Sequence, residues 1–190
     1  MKSKVLLSVR GGATGKFDSQ AAKPQLPKEK QTILGLYVTA HEAYEMWKAE
    51  PERVKILDVR TPEEYLFVGH AEMARNIPLA FVKYQWSADK NEPVMEPNPD
   101  FISIAKSLFS VTDALLVTCR SGGRSALAVN QLAKARFVNA YNIIDGMEGD
   151  KVDDPGSAYR GKRMKNGWKN TGSPWTYDVN PELIWLTKRQ

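Results

Sequence analysis

Cys119, the only cysteine of the 190-residue chain, stands at the end of an apolar run and directly before a polar loop. The loop reads Arg120, Ser121, Gly122, Gly123, Arg124 and Ser125. Two glycines let the backbone curl so that successive N–H groups point inward and bind an anion. This nest and the two arginines favour the thiolate, which is the nucleophilic form of cysteine. The loop therefore predicts a nucleophile that holds an anionic substrate, whereas a cysteine that only packs would explain neither the glycines nor the arginines.

Apolar runs bounded by polar residues predict short strands along the chain, and helical patterns stand between them. The predicted strands lie at residues 54–60, 74–79, 114–118 and 140–144, and order begins near residue 33. Strands that alternate with helices are typical of a parallel sheet with helices on both faces. Ligands of such open sheets bind beyond the carboxyl ends of the strands, and Cys119 stands at one of these ends.

The predicted helices explain how the cysteine loop is held. Capping boxes at 39–42 and 61–64 begin two of them. Two more are predicted at 101–109 and at 124–135, where apolar residues recur at helical spacing. The last helix starts directly behind the loop, so its N-terminus adds partial positive charge there. Residues 86–100 contain three prolines and are predicted to form a loop.

Asp58 and Arg60 stand at the end of a neighbouring strand. They could form an ion pair that caps the next helix, or they could support the cysteine loop, with Asp58 orienting an arginine. We favour the structural role, although the two are compatible. His70 has no second histidine, cysteine or acidic partner at ligand spacing, so the sequence predicts no metal site. It also predicts no cofactor.

Three segments carry a resemblance to a known family. They are LDVRTPEEY at 57–65, GHAEMARNIPL at 69–79 and CRSGGRS at 119–125. In this order and spacing, residues 33–146 resemble the single-domain rhodanese family of sulfurtransferases. The resemblance implies a five-stranded parallel sheet and a catalytic Cys119 that accepts a sulfane sulfur as a persulfide and passes it to a nucleophilic acceptor. It implies a small anionic donor such as thiosulfate, with a protein as a possible donor or acceptor.

Two features depart from the family pattern. Met73 stands where the family usually has glycine in the turn after GH. The usual closing segment, two glycines followed by Trp and Gly-Leu-Pro, is split. Gly146-Met147 and Gly172-Ser173-Pro174 resemble the two ends of this segment, and Trp168 lies between them. An insertion of polar and charged residues separates the two ends.

Two other classes of function are compatible with this pattern. A cysteine-based phosphatase or an arsenate reductase also places cysteine and arginine around an oxyanion. Phosphatase loops have five residues between the two, whereas four separate Cys119 from Arg124, and the loop contains no aspartate that could act as a general acid. A non-catalytic binding module on the same fold is the other alternative, although such members commonly lose the cysteine.

Charge and composition divide the chain into three parts. Residues 1–31 hold seven of the 27 basic and two of the 22 acidic residues, so the net charge of +5 belongs to this segment and the remainder is neutral. We expect 1–31 to be a disordered tail, 32–146 to be the rhodanese-like domain, and 147–190 to be an extension that packs on it through its tryptophans. The charge distribution does not predict nucleic-acid binding.

The N-terminal sequence bears on location. The apolar stretch 5–9 is shorter than the core of a secretory signal. The sequence leaves the compartment unknown and favours a cytoplasmic location, with a periplasmic location as the alternative if the stretch is a remnant signal. No apolar run approaches the length of a membrane span.

Overall fold

A five-stranded parallel sheet organises the part of the chain that the computed structural model describes, residues 26–186. In chain order the strands are β1 (Tyr37–Val38), β2 (Val54–Asp58), β3 (His70–Ala71), β4 (Arg75–Asn76), β5 (Ala80–Ser87), β6 (Glu92–Pro97), β7 (Ala114–Thr118), β8 (Ala140–Ile143) and β9 (Trp175–Thr176). The α-helices are α1 (Ala40–Ala49), α2 (Pro62–Val68), α3 (Phe101–Leu108) and α4 (Gly123–Lys134). The sheet order is β1-β8-β7-β2-β4 with every pair parallel, which confirms the predicted α/β class.

The core divides into two clusters, one on each face of this sheet. Side chains of β2 alternate between them, because Ile56 packs with residues of α1 and α2 whereas Leu57 packs with residues of α3 and α4. All five residues of β7 are buried, as expected for a central strand covered on both sides. The helices therefore lie on both faces, and β7 carries Cys119 to the middle of the carboxyl edge.

Both predicted capping boxes are present. The Thr39 side chain accepts a hydrogen bond from the Glu42 backbone N–H, and the Glu42 carboxylate accepts one from the Thr39 backbone N–H. Thr61 and Glu64 form the same pair of bonds at the start of α2. Pro62 occupies the first turn of α2, where its missing N–H costs no intrahelical bond. These local signals fix where α1 and α2 begin.

The prediction of a loop at 86–100 was wrong for residues 86–87 and 92–97, which are strand. β5 and β6 form an antiparallel hairpin in which Trp86 pairs with Pro93 and Ala80 with Pro97. A two-stranded ribbon leaves half of its N–H groups facing solvent, so prolines are tolerated at those positions. The hairpin begins beside the carboxyl edge of the main sheet, since Leu79 N–H donates to the Val59 carbonyl.

Order begins before residue 32, which differs from the expected tail at 1–31. Lys28–Lys30 form a 3-10 helix, and Lys30 Nζ lies 3.0 Å from Asp150 Oδ1. Asn142 Nδ2 donates to the Lys30 carbonyl at 3.0 Å. These contacts are made far along the chain, so local composition did not predict them. The rest of the expected tail, residues 1–25, lies outside the described residues.

The segment after β8 leads away from the domain after Met147 and returns beside Gly146 and Met147 at Trp168. Trp168 N–H donates to the Gly146 carbonyl at 2.8 Å, and Lys169 N–H donates to the Met147 carbonyl at 3.1 Å. The side chain of Trp168 is fully buried in the core. Between these contacts, residues 150–166 form an excursion closed at its base, where Asp150 N–H donates to Asn166 Oδ1 at 2.7 Å.

Within residues 26–186, no helix has both the length and the apolar character needed to cross a membrane. The same residues contain no group of three or more His, Cys, Asp or Glu side chains arranged to hold a metal ion.

Candidate active site

The predicted loop lies at the carboxyl edge of the sheet, between β7 and α4. Thr118 ends β7, Cys119 follows it, and α4 begins at Gly123. Gly122 caps α4 in the left-handed conformation, with φ of +99°. This turn places the free N–H groups at the start of α4 beside the loop, where they favour negative charge.

The Cys119 sulfur is buried and hydrogen-bonded. The residue is 1% exposed, and Sγ lies 3.2 Å from the Gly122 backbone nitrogen and 3.3 Å from Ser125 Oγ. Both neighbours belong to the predicted loop, so the structure brings these three residues together. Gly122 offers an N–H and Ser125 a hydroxyl, and either group can donate to a sulfur anion.

The segment after β8 holds the loop from the other side. Met147 N–H donates to the Cys119 carbonyl at 2.8 Å, and Glu148 N–H donates to the Arg120 carbonyl at 2.9 Å. Gly146 has a φ of +62°, and a Cβ there would lie 2.5 Å from the Cys119 carbonyl oxygen. This support was not predicted from the sequence. Gly146 was its available signal, because a glycine is required where two backbones approach so closely.

Arg120 and Arg124 have different positions. Arg120 is exposed at the rim of the loop. Arg124 instead binds Glu64 on α2 through both terminal nitrogens, each 2.6 Å from a carboxylate oxygen. Arg124 therefore joins α4 to α2, and its two terminal nitrogens are bound to a carboxylate. Of the other loop residues, Ser121 and Gly123 are half-buried.

The ion pair with Arg124 favours the charged form of Glu64. Burial alone would raise the pKa of Glu64, but hydrogen bonds and charge from Arg124 outweigh it, so the pKa lies below its ordinary value. The two side chains are 29% and 23% exposed, which leaves them only partly screened by solvent. Glu64 also completes the capping box of α2, so one carboxylate caps α2 and binds Arg124 of α4.

We expect Glu64→Gln to reduce the free energy of unfolding by about 2 kcal/mol at pH 7, because glutamine keeps the capping box but loses the ion pair. A depressed carboxylate pKa stabilises the folded state above the unfolded pKa, and this contribution disappears as the pH falls through the folded pKa. The difference from wild type should therefore shrink as the pH falls below about 5. Urea unfolding across this range measures it.

The matched control is Glu42→Gln in the capping box of α1, whose carboxylate bonds only to Thr39 among the described hydrogen bonds. This variant should show a smaller loss of stability at pH 7. Equal losses for the two variants would mean that Arg124 contributes nothing to the folded state.

Asp58 and Arg60 form a fully buried ion pair beside the loop rather than within it. Arg60 Nη2 lies 2.6 Å from Asp58 Oδ2 and also donates to the Gly69 carbonyl at 2.8 Å. The two side chains thus tie the end of β2 to the turn after α2. Asp58 does orient an arginine, but among the described hydrogen bonds of these side chains none reaches residues 119–125.

Asn142 is a buried polar residue beside Ser125 that was not predicted from the sequence. It lies on β8, is fully buried, and its Oδ1 is 2.6 Å from Ser125 Oγ. Its Nδ2 donates to the Gly122 carbonyl at 3.1 Å. An asparagine in an otherwise apolar buried strand was the only available signal, because a buried amide needs hydrogen-bond partners.

A buried cysteine on a loop between the central parallel strand and a helix N-terminus defines an α/β domain that can hold an anion beside a thiol. Residues 39–152, more than half of the chain, match the family described as the rhodanese-like domain. The chain therefore belongs to the rhodanese-like family.

Three relatives illustrate the relationship. An uncharacterized protein of Rickettsia prowazekii (strain Madrid E) is 34% identical over 122 residues, which cover 64% of this chain and 82% of the relative. Thiosulfate sulfurtransferase 16, chloroplastic, of Arabidopsis thaliana is 38% identical over 92 residues, which cover 48% and 69% of the two chains. The crystal structure of Rv0390 from M. tuberculosis has a TM-score of 0.58 and 27% identity, and the match covers 74% of this chain and 96% of that one.

Proposed function

We propose that this protein is a sulfurtransferase that carries a sulfane sulfur on Cys119. The Cys119 thiolate attacks the outer sulfur of a donor such as thiosulfate, an S–S bond forms to Cys119, and sulfite leaves with the electron pair of the broken bond. A nucleophilic acceptor, cyanide or a thiolate, then takes the outer sulfur, and Cys119 leaves as a thiolate. No external oxidant or reductant is needed in either step.

One observation carries this proposal. Cys119 Sγ is placed between the Gly122 N–H and the Ser125 hydroxyl, at the N-terminus of α4. These groups can stabilise a thiolate and also a persulfide anion, because both carry negative charge at this edge of the sheet. The relative from Arabidopsis thaliana, by its name a thiosulfate sulfurtransferase, supports the same chemistry.

The phosphatase and arsenate reductase alternatives fit less well. Such enzymes need the loop arginine to bind a tetrahedral oxyanion, and both terminal nitrogens of Arg124 are already bound to Glu64. A binding-module role is compatible with the proposed activity, since a docking surface could surround a catalytic cysteine. A simple check is hydrolysis of p-nitrophenyl phosphate, which we expect to be absent.

The direct test is intact mass spectrometry after incubation with thiosulfate. We expect a mass increase of one sulfur atom, which cyanide then removes as thiocyanate. Wild-type protein alkylated beforehand with iodoacetamide is the control and should gain no sulfur. If neither thiosulfate nor cysteine persulfide adds sulfur to the unmodified protein, the proposal is wrong.

Arg120→Ala should raise KM for thiosulfate roughly five- to tenfold at low ionic strength, with a smaller change in kcat. The exposed guanidinium attracts the dianion before and during reaction, so its loss affects ground and transition states alike. The effect should shrink with added salt, because exposed charges are screened. Arg120→Lys, which keeps the charge, is the control and should remain close to wild type. Unchanged kinetics for Arg120→Ala at low salt would show that backbone N–H groups alone bind the donor.

A further inference from the structure

The side-chain amide of Asn142 has one allowed orientation. Its Nδ2 faces two carbonyl oxygens, those of Gly122 at 3.1 Å and Lys30 at 3.0 Å. An amide nitrogen has two N–H donors, so both are used, and the reverse orientation would place Oδ1 against two acceptors. Asn142 Oδ1 therefore faces Ser125 Oγ at 2.6 Å.

This orientation decides where the Ser125 proton goes. Asn142 Oδ1 carries no hydrogen, so the short contact requires the Ser125 hydroxyl to donate to it. A hydroxyl has one proton, and Ser125 Oγ lies 3.3 Å from Cys119 Sγ. While its proton is held by Asn142, Ser125 offers the sulfur a lone pair, which suits a neutral S–H donor.

A charged sulfur requires the opposite arrangement. A thiolate or a persulfide anion is stabilised by donors, and beside the Gly122 N–H the Ser125 hydroxyl can supply a second one only when it turns toward the sulfur. Asn142 Oδ1 then loses its donor in a fully buried site, which is unfavourable. The Asn142 amide and the sulfur anion thus compete for one proton.

We propose that Asn142 is a positioning residue that acts on Cys119 through Ser125. It favours the uncharged sulfur in the resting protein, because it holds the Ser125 proton away from Cys119. This inference rests on the proposed sulfur transfer through Cys119, for which the balance between neutral and charged sulfur sets reactivity.

The test measures alkylation of Cys119 by iodoacetamide as a function of pH in the full chain. Asn142→Ala removes the competing acceptor, so the midpoint of the alkylation profile should move to lower pH. Below the wild-type midpoint, the rate should rise about three- to tenfold. A residue that only supported the fold would leave the midpoint in place, and this result would overturn the proposal.

The serine background provides the matched control. In a Ser125→Ala protein the mediating hydroxyl is absent, so adding Asn142→Ala should leave the alkylation profile unchanged. An equal shift with and without Ser125 would show that Asn142 acts by another route and would also overturn the proposal.

Asn142→Asp keeps the test decisive if the alanine variant fails to fold. A carboxylate holds the Ser125 proton more strongly than an amide, so alkylation should become slower, and the slowing should be smaller when Ser125 is alanine. Unchanged or faster alkylation would overturn the proposal. Alkylation needs no sulfur donor, so the two proposals can fail separately. If the persulfide forms but the alkylation profile does not shift, only the role of Asn142 is rejected. If the profile shifts but no persulfide forms, only the proposed function is rejected.

Discussion

Replacing Cys119 with serine should abolish sulfur transfer from thiosulfate to cyanide, with activity falling to the uncatalysed rate. A serine hydroxyl is not ionised at neutral pH and forms no persulfide, so the covalent step has no substitute. Steady-state thiocyanate formation measures the loss, and intact mass should show no added sulfur. A serine variant that retained wild-type activity would exclude Cys119 as the sulfur carrier.

The same variant should stay folded. Cys119 is 1% exposed and packs in the core, so a buried hydroxyl replaces a buried thiol. The Gly122 N–H that lies 3.2 Å from Sγ can donate to the new oxygen, which limits the cost to about 1 kcal/mol. Thermal unfolding checks this point. A far larger loss of stability would show that the sulfur is needed for packing, and the missing activity could then reflect unfolding.

The second large effect is expected for Gly122→Ala. Gly122 has a φ of +99°, where residues with a Cβ are strained, and its Cβ would overlap the backbone carbonyl of Ile144. That carbonyl cannot move easily, because the Ile144 N–H is bonded to the Val38 carbonyl at 2.9 Å. We expect sulfur transfer to fall at least about a hundredfold and unfolding to become easier by about 2–4 kcal/mol. Kinetics and urea unfolding measure the two losses.

Gly123→Ala is the matched control in the adjacent position. A Cβ at Gly123 meets no atom within 4 Å, and the residue begins α4, where alanine is a better helix former than glycine. This variant should keep wild-type stability and most of the activity. If the two alanine variants lose activity equally, the left-handed turn at Gly122 is not what shapes the loop.

Patterns among neighbouring residues predicted the α/β fold class and the starts of two helices. The capping boxes at Thr39 and Thr61 mark helix starts through contacts between residues three apart, so sequence alone contains them. The buried strand before Cys119 and the glycine-rich turn behind it likewise depend on neighbouring residues. The α/β class and the family are therefore confirmed from patterns of short range.

Two features that the sequence did not predict depend on contacts made far along the chain. Arg124 binds Glu64, 60 positions away, and Asn142 reaches Ser125 from 17 positions away. The hairpin of β5 and β6 was missed because its prolines suggested a loop, whereas pairing between the two strands tolerates them. The assignment of individual loop residues to catalysis and substrate binding stays a prediction.

The excursion at residues 150–166 is closed at its base, so its length can change without disturbing the contacts that hold the domain together. Trp168 re-enters the core beside Gly146, so the chain between them begins and ends at nearly one point. The entropy of closing such a loop changes only slowly with its length, by about 0.6 kcal/mol for each doubling. This position, beside the cysteine loop, is therefore a site that tolerates insertions of different length. Evolution or a protein engineer can lengthen, shorten or exchange the excursion there while the sheet and the loop keep their geometry.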